Sequence, residues 1–191
     1  MNDRGSTGSG GVGSAPRGPG FVDLLDEALP GVVTVRKLDA LDPWIECPVD
    51  RLLELCRWLK SNPHVRFDSL ECITAIDWFE PDPKKAGKVS WQPHVEVVYH
   101  LWSTIARVSL VVKVRLPRWK DGLTGELPEV PSVACIWRAA DWHEREVYDL
   151  SGVRFTGHGD LRRILCPEDW EGHPLRRDYV MPLEYHGIRG K

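Results

Sequence analysis

No stretch of this chain is apolar for long enough to cross a bilayer as a helix. It has no glycine-rich phosphate loop, no G-x-G-x-x-G turn and no nucleophile–base motif. It also lacks an excess of charge of either sign. Lys and Arg number 25 against 28 Asp and Glu, a formal net charge of −3, which does not fit a general nucleic-acid binder. Cysteine is sparse and scattered. Cys47, Cys56, Cys72, Cys135 and Cys166 are odd in number and include no C-x-x-C. That pattern is neither a disulfide framework nor the clustered spacing of a zinc or iron–sulfur site. Most of the cysteines are expected to act as small apolar fillers in a reducing compartment. The chain is expected to be soluble by itself, which leaves room for it to sit on a membrane-bound partner.

A length of 191 residues allows one domain with appendages. Residues 1–20 are rich in Gly, Ser and Pro and carry little that is apolar. They are expected to be a disordered tail, because they cannot bury enough surface to offset their ordering entropy. They also lack the continuous apolar core of a signal peptide. Residues 21–150 read as a two-layer α/β domain, with helices on one side of a mixed, largely antiparallel sheet. Residues 21–29 form a short helix stopped at Pro30-Gly31, and 32–37 a strand. A helix follows Pro48, with Leu52, Cys56 and Leu59 on one stripe, and ends before Asn62-Pro63. Residues 69–78 alternate as a strand that puts Leu70, Cys72, Thr74, Ile76 and Trp78 on one face. Residues 80–88 read as an exposed loop. Two strands, 94–103 and 107–116, stand so close together that a hairpin is the economical reading. Residues 117–131 read as a Pro/Gly loop and 133–137 as a last strand.

Residues 140–152 read as a helix with Asp141 as N-cap, Glu144 completing a capping box and Gly152 ending it in a left-handed turn. Beyond it, residues 151–191 hold no period for long, yet they are not disordered in composition. Phe155, Leu161, Ile164, Leu165, Trp170, Leu175, Tyr179, Val180, Met181 and Tyr185 alternate with Arg162-Arg163, Arg176-Arg177 and carboxylates. Aromatics and arginines interleaved in this way suit a protein interface. Two readings stand side by side: a tail ordered by lying on another protein, and an irregular extension folded back over its own sheet. A metal site is a third. His143 and Glu146 share a helix face at i, i+3, and His158, Asp160, Asp169, His173 and Asp178 could add ligands, although no spacing among them defines a cage.

The run WHEREVYDLSGVRFTGHGDLRRILCPEDWEGHPLRRDY (142–179) resembles the signature of the C subunit of bacterial NADH–quinone oxidoreductase, respiratory complex I. Weaker similarity extends upstream through RFDSLECITAIDW, VEVVYHLWS and VPSVACIW. Gly159 stands where the family usually has Pro, Arg177 where it has Lys, and Ser151 where it has a bulky apolar residue. The resemblance implies a non-catalytic subunit of the cytoplasm-facing peripheral arm. Such a subunit holds no flavin, iron–sulfur cluster, quinone or metal, since FMN, the clusters and quinone belong to partner subunits. It implies docking on the large quinone-site subunit (the D subunit), beside the cluster-bearing subunits, with no membrane span and no nucleic acid. The residues it implies for partner binding are Glu144, Arg145, Glu146, Tyr148 and Asp149 on the helix. On the tail they are His158, Asp160, Arg162, Arg163, Asp169, Trp170, His173, Arg176, Asp178 and Tyr179. A subunit of a membrane-bound hydrogenase or another quinone-reducing complex is the alternative, and a free-standing metal hydrolase is a distant third.

Overall fold

The computed structural model describes residues 20–189. The expected tail over 1–20 therefore lies outside the described residues except for Gly20. A five-stranded sheet is built from β1 (Val35–Lys37), β2 (Trp44–Glu46), β3 (Ser69–Trp78), β4 (His94–Ser103) and β5 (Val108–Pro117), in the order β1-β2-β5-β4-β3. Only β2–β5 is parallel; the other pairs are antiparallel, so the sheet is mixed and largely antiparallel as expected. The β4–β5 hairpin turns through residues 104–107. Its inward rows are Val95, Val97, Tyr99 and Leu101 on β4, facing Leu116, Val114, Val112 and Leu110 on β5.

Three helices cover that face. They are α1 (Phe21–Ala28), α2 (Leu52–Ser61) and, after the short exposed α3 (Pro83–Ala86), α4 (Ala140–Ser151). Phe21, Val22 and Leu25 of α1 and Leu52, Leu55, Cys56 and Leu59 of α2 are buried against the sheet. Phe21 meets Phe67 edge-on, 5.3 Å between ring centres. Ala140 and Val147 carry α4 into the same core, alongside β3. Of the cysteines, only Cys47 and Cys56 are buried fillers; Cys72 and Cys166 are half-buried and Cys135 is exposed.

The sheet departs from expectation in three places. The first strand is trimmed to Val35–Lys37. Residues 133–137 are a turn, not a strand, with the Ile136 and Trp137 N–H groups both bonded to Val133 O. The loop before them instead supplies β6 (Glu129–Pro131), which pairs in parallel with β7 (Arg154–Thr156). The third departure matters most. A bulge at Glu71 breaks the alternation of β3, because Leu70 pairs with Leu101 while Cys72 pairs with His100. Leu70 faces the core, but beyond the bulge Ile73 and Ala75 take over that side, and Cys72, Thr74, Ile76 and Trp78 turn to the other. The same shift brings Asp77 onto the helix-covered side at the end of the strand.

Candidate functional site

Helix α4 ends as its sequence dictates. Gly152 adopts φ 66°, ψ 54°, and its N–H returns to Tyr148 O at 3.1 Å. The start differs from expectation. Ala139 is the N-cap and makes no side-chain bond, so Asp141 lies inside the first turn and no capping box forms. Glu144 reaches away from the helix instead. Its fully buried carboxylate accepts from Ser132 Oγ (2.6 Å) and from the Val133 N–H (2.7 Å), fixing the turn that precedes α4. Burial raises the pKa of Glu144, and these two bonds oppose the rise.

A helix leaves its last carbonyls without partners. Here the segment after the helix returns to supply them. Asp149 O accepts from Arg163 Nη1 (3.1 Å) and His173 Nδ1 (2.9 Å). Leu150 O accepts from Leu175 N–H (2.8 Å), and Gly152 O from Arg176 Nη2 (3.0 Å). His173 packs so closely that a Cβ on residue 152 would lie 2.5 Å from its ring. Burial lowers the pKa of His173, although its bond to Asp149 O works the other way.

Asp149 is the centre of this clamp. One oxygen accepts three successive N–H groups, from Ile164 (3.0 Å), Leu165 (2.7 Å) and Cys166 (2.9 Å), and the other takes Arg163 Nη1 at 2.7 Å. Successive amides wrapped on one anion form a nest. Burial disfavours the carboxylate, but the Cys166, Leu165 and Ile164 amides together with Arg163 outweigh it and hold the pKa down to about 2. The second Arg163 nitrogen donates to Gly172 O at 2.9 Å, so one guanidinium ties two points of the segment to the helix.

A second latch joins the segment to the sheet. Arg118, just past β5, forks onto Asp77 with two bonds of 2.7 Å and onto Asp178 at 2.6 and 3.0 Å. Phe79 lies 4.0 Å beneath its guanidinium. Burial opposes the charge, but the two carboxylates prevail and raise its pKa. Asp77 also accepts the Arg177 N–H at 2.9 Å, and Arg176 donates to Arg118 O at 3.1 Å while stacking on Trp119. At the other end of α4, Arg145 pairs with Asp141 (3.0 Å) and Asp160 (3.1 Å). His158 Nε2 lies 2.9 Å from Asp141 Oδ1, and its Nδ1 accepts the Asp160 N–H, which assigns the proton to Nε2.

The expected partner-binding residues therefore divide in two. Glu144, Arg145, Asp149 and Arg176 are buried, the His158 ring is enclosed, and Arg163 and His173 are held inside the clamp. Glu146, Asp160, Arg162 and Asp169 face solvent. Tyr148, Trp170 and Tyr179 are half-buried, and Asp178 keeps one side on Arg118. Residues 152–179 are thus laid over their own domain, which is the second of the two sequence readings for that stretch. Residues 180–188 are different: Val180 (83% exposed), Met181, Leu183 (86%) and Ile188 stand in solvent, and a small hairpin of β8 (Glu184–Tyr185) and β9 (Ile188–Arg189) closes the described residues. Sequence reasoning missed Asp77 and Arg118, which latch the segment to the sheet, Ser132, which holds Glu144, and the exposed Trp142. Trp142, the first residue of the matched run, was within reach of a reading by residue type; the others carry no local signal. The imidazoles of His158 and His173 are engaged by Asp141 and Asp149. Among the described residues no three or more His, Cys, Asp or Glu are grouped to hold a metal.

Several known proteins are similar to this chain. The family described as "Respiratory-chain NADH dehydrogenase, 30 Kd subunit" matches residues 45–185. The chain is 39% identical to the NADH-quinone oxidoreductase C subunit of Chlorobium phaeobacteroides, over 87% of this chain and 91% of that protein. It is 38% identical to the C subunit of Moorella thermoacetica, over 86% and 96%. It is 42% identical to the C subunit numbered 2 in Rhizobium etli, over 70% of this chain and 62% of that longer protein. Among solved structures it resembles a chain of the membrane-bound sulfane sulfur reductase, an archaeal respiratory membrane complex, with a TM-score of 0.65, 28% identity and 85% of each chain covered.

Proposed function

The chain belongs to the family of the 30 kDa subunit of respiratory-chain NADH dehydrogenase, and on that basis we propose that it is a non-catalytic, peripheral-arm subunit of an NADH–quinone oxidoreductase. In this reading FMN, the iron–sulfur clusters and quinone are held by partner subunits. This chain docks on the large quinone-site subunit, on the cytoplasmic side of the membrane. No described helix is long and apolar enough to cross a membrane, which is consistent with attachment through the complex.

One observation carries the docking proposal. The clamp fixes residues 152–179 with buried charges and presents, just beyond it, apolar side chains exposed to water. Exposed apolar side chains gathered into one patch, unlike ones scattered singly, mark interaction sites. The buried members of the partner-binding set then act as positioning residues, and Arg162, Trp170 and the 180–188 arm make the contact. Arg162→Ala and Trp170→Ala are each expected to weaken docking by about 2 kcal/mol or more, as central interface residues do. Native gels of the detergent-solubilised complex read this as released subunit. Full assembly in both variants would remove these two residues from the interface.

A second reading is a subunit of a different respiratory complex. It is favoured by the likeness to the sulfane sulfur reductase chain. Identities of 38% and 39% over nearly the whole of two NADH-quinone oxidoreductase subunits weigh toward the first. The readings separate by whether NADH-oxidising, flavin-bearing subunits co-purify.

A further inference from the structure

The C-terminal hairpin folds back on the loop around Trp170 and leaves between them an open cavity of about 300 Å³. Its walls are aromatic. Trp170 and Tyr185 lie with ring centres 4.9 Å apart, tilted by 54°. Its polar groups are chiefly acidic: Asp169, Glu171 and Glu184, with His186 as the single basic side chain of the lining. Asp169 is fixed in place, accepting from Tyr185 Oη and pairing with His186 Nε2, each at 2.7 Å. These bonds, Tyr185 first, lower its pKa, so it is anionic wherever the protein is folded near neutrality. Glu171 and Glu184 form no ion pair among the described residues. Arg189 is the cross-strand partner of Glu184 in the hairpin, and their side chains form no ion pair. Among the described residues, Glu171 and Glu184 therefore stand without a side-chain ion pair beside two π faces, next to the apolar arm.

We infer that this cavity receives a cationic side chain, an arginine, from the partner on which the tail docks. The inference rests on the docking reading above and names the chemistry that reading lacks. Arginine suits the site better than lysine because a planar guanidinium stacks on an indole or phenol while its edge forks onto carboxylates. It supplies the charge that the lining lacks. Water excluded as the partner covers the site strengthens both contacts.

The test uses the complex purified in mild detergent from cells carrying variants of the full chain. Glu171→Lys combined with Glu184→Lys reverses the charge of the cavity, and Glu171→Gln with Glu184→Gln only removes it. Glu168→Lys reverses a neighbouring exposed acid outside the cavity. A chain ending at Tyr179 removes the arm and hairpin and tests docking itself. The expected result is retention of the subunit reduced about tenfold or more by the double reversal, less by the double Gln change, and unaffected by Glu168→Lys. Raised salt should weaken retention of the wild-type chain more than that of the double Gln variant, because the variant has less charge to screen. Melting of the purified chain should be unchanged by these substitutions. A suppressor that converts a partner arginine to an acid and restores retention in the double reversal confirms the pairing. If truncation releases the subunit while the double reversal is retained like wild type, the cationic occupant is wrong and docking stands. If the truncated chain is retained as well as wild type, the arm and the hairpin take no part in docking and this inference fails, while contact through Arg162 and Trp170 is left to their own variants.

Discussion

Two adjacent arginines illustrate how far residue type alone can mislead. Arg162 and Arg163 read alike in the sequence. Arg162 is 69% exposed and among the described residues pairs only with the exposed Asp160, whereas Arg163 is 16% exposed and bridges Asp149 to Gly172. Arg162→Ala is expected to change stability by no more than about 0.5 kcal/mol, as exposed pairs do. Arg163→Ala should cost about 2–3 kcal/mol, because it leaves a buried carboxylate without its cation. Chemical denaturation of the two variants side by side checks this, and equal losses would contradict the clamp. Asp149 supplies a pH test. Its folded pKa, about 2, lies below the ordinary carboxylate value. The stability it adds is fully present above pH ~4 and is lost as pH falls toward ~2, about 2 kcal/mol in all. Asp149→Asn should therefore be less stable than wild type at neutral pH, with the difference closing across that window. A difference that stayed constant from about pH 6 to about pH 2 would show that the charge of Asp149 is not what holds the nest.

The elements were legible to different depths for physical reasons. α2, the β4–β5 hairpin and the end of α4 were all readable, because stripe, alternation and a terminal glycine are local signals. The bulge at Glu71 was not, since a bulge is set by the partner strand and turns half of β3 over without changing its composition. Nor was the turn at 133–137, where apolar residues suited a strand but Glu144, eleven residues after Val133, holds the backbone in another shape. The C-cap of α4 gives the sharpest test among the elements. Gly152 needs its left-handed conformation, and His173 occupies the space a side chain would take. Gly152→Ala should cost about 2 kcal/mol or more, from the left-handed strain and the displaced ring together. Proteolysis should then cut the 160–179 segment faster than in wild type. A variant as stable and as resistant as wild type would mean that the segment does not depend on this close approach.

At the scale of the whole molecule, a two-layer domain holds its C-terminal segment in shape from within, by buried ions drawn from α4 and from the end of the sheet. The interface-like composition of that segment was visible in the sequence, and so was its family resemblance. Its division was not, because a clamp residue and a contact residue differ only in what they meet from distant parts of the chain: Asp77 and Arg118 lie 101 and 60 positions before Asp178 (178 − 77 and 178 − 118). The division explains how one segment can be both fixed and exposed, with the arm's apolar side chains presented by a support built from this chain's own residues. Membership of an NADH-oxidising complex is tested by the company the chain keeps. The most direct measurement is mass spectrometry of the material recovered with the full chain, tagged at its N-terminus, after mild-detergent extraction of its native membranes. Co-recovery of flavin-bearing and iron–sulfur subunits with NADH–quinone reductase activity is the predicted result. Recovery of the chain alone, or with a respiratory complex that has no NADH-oxidising subunit, would contradict it.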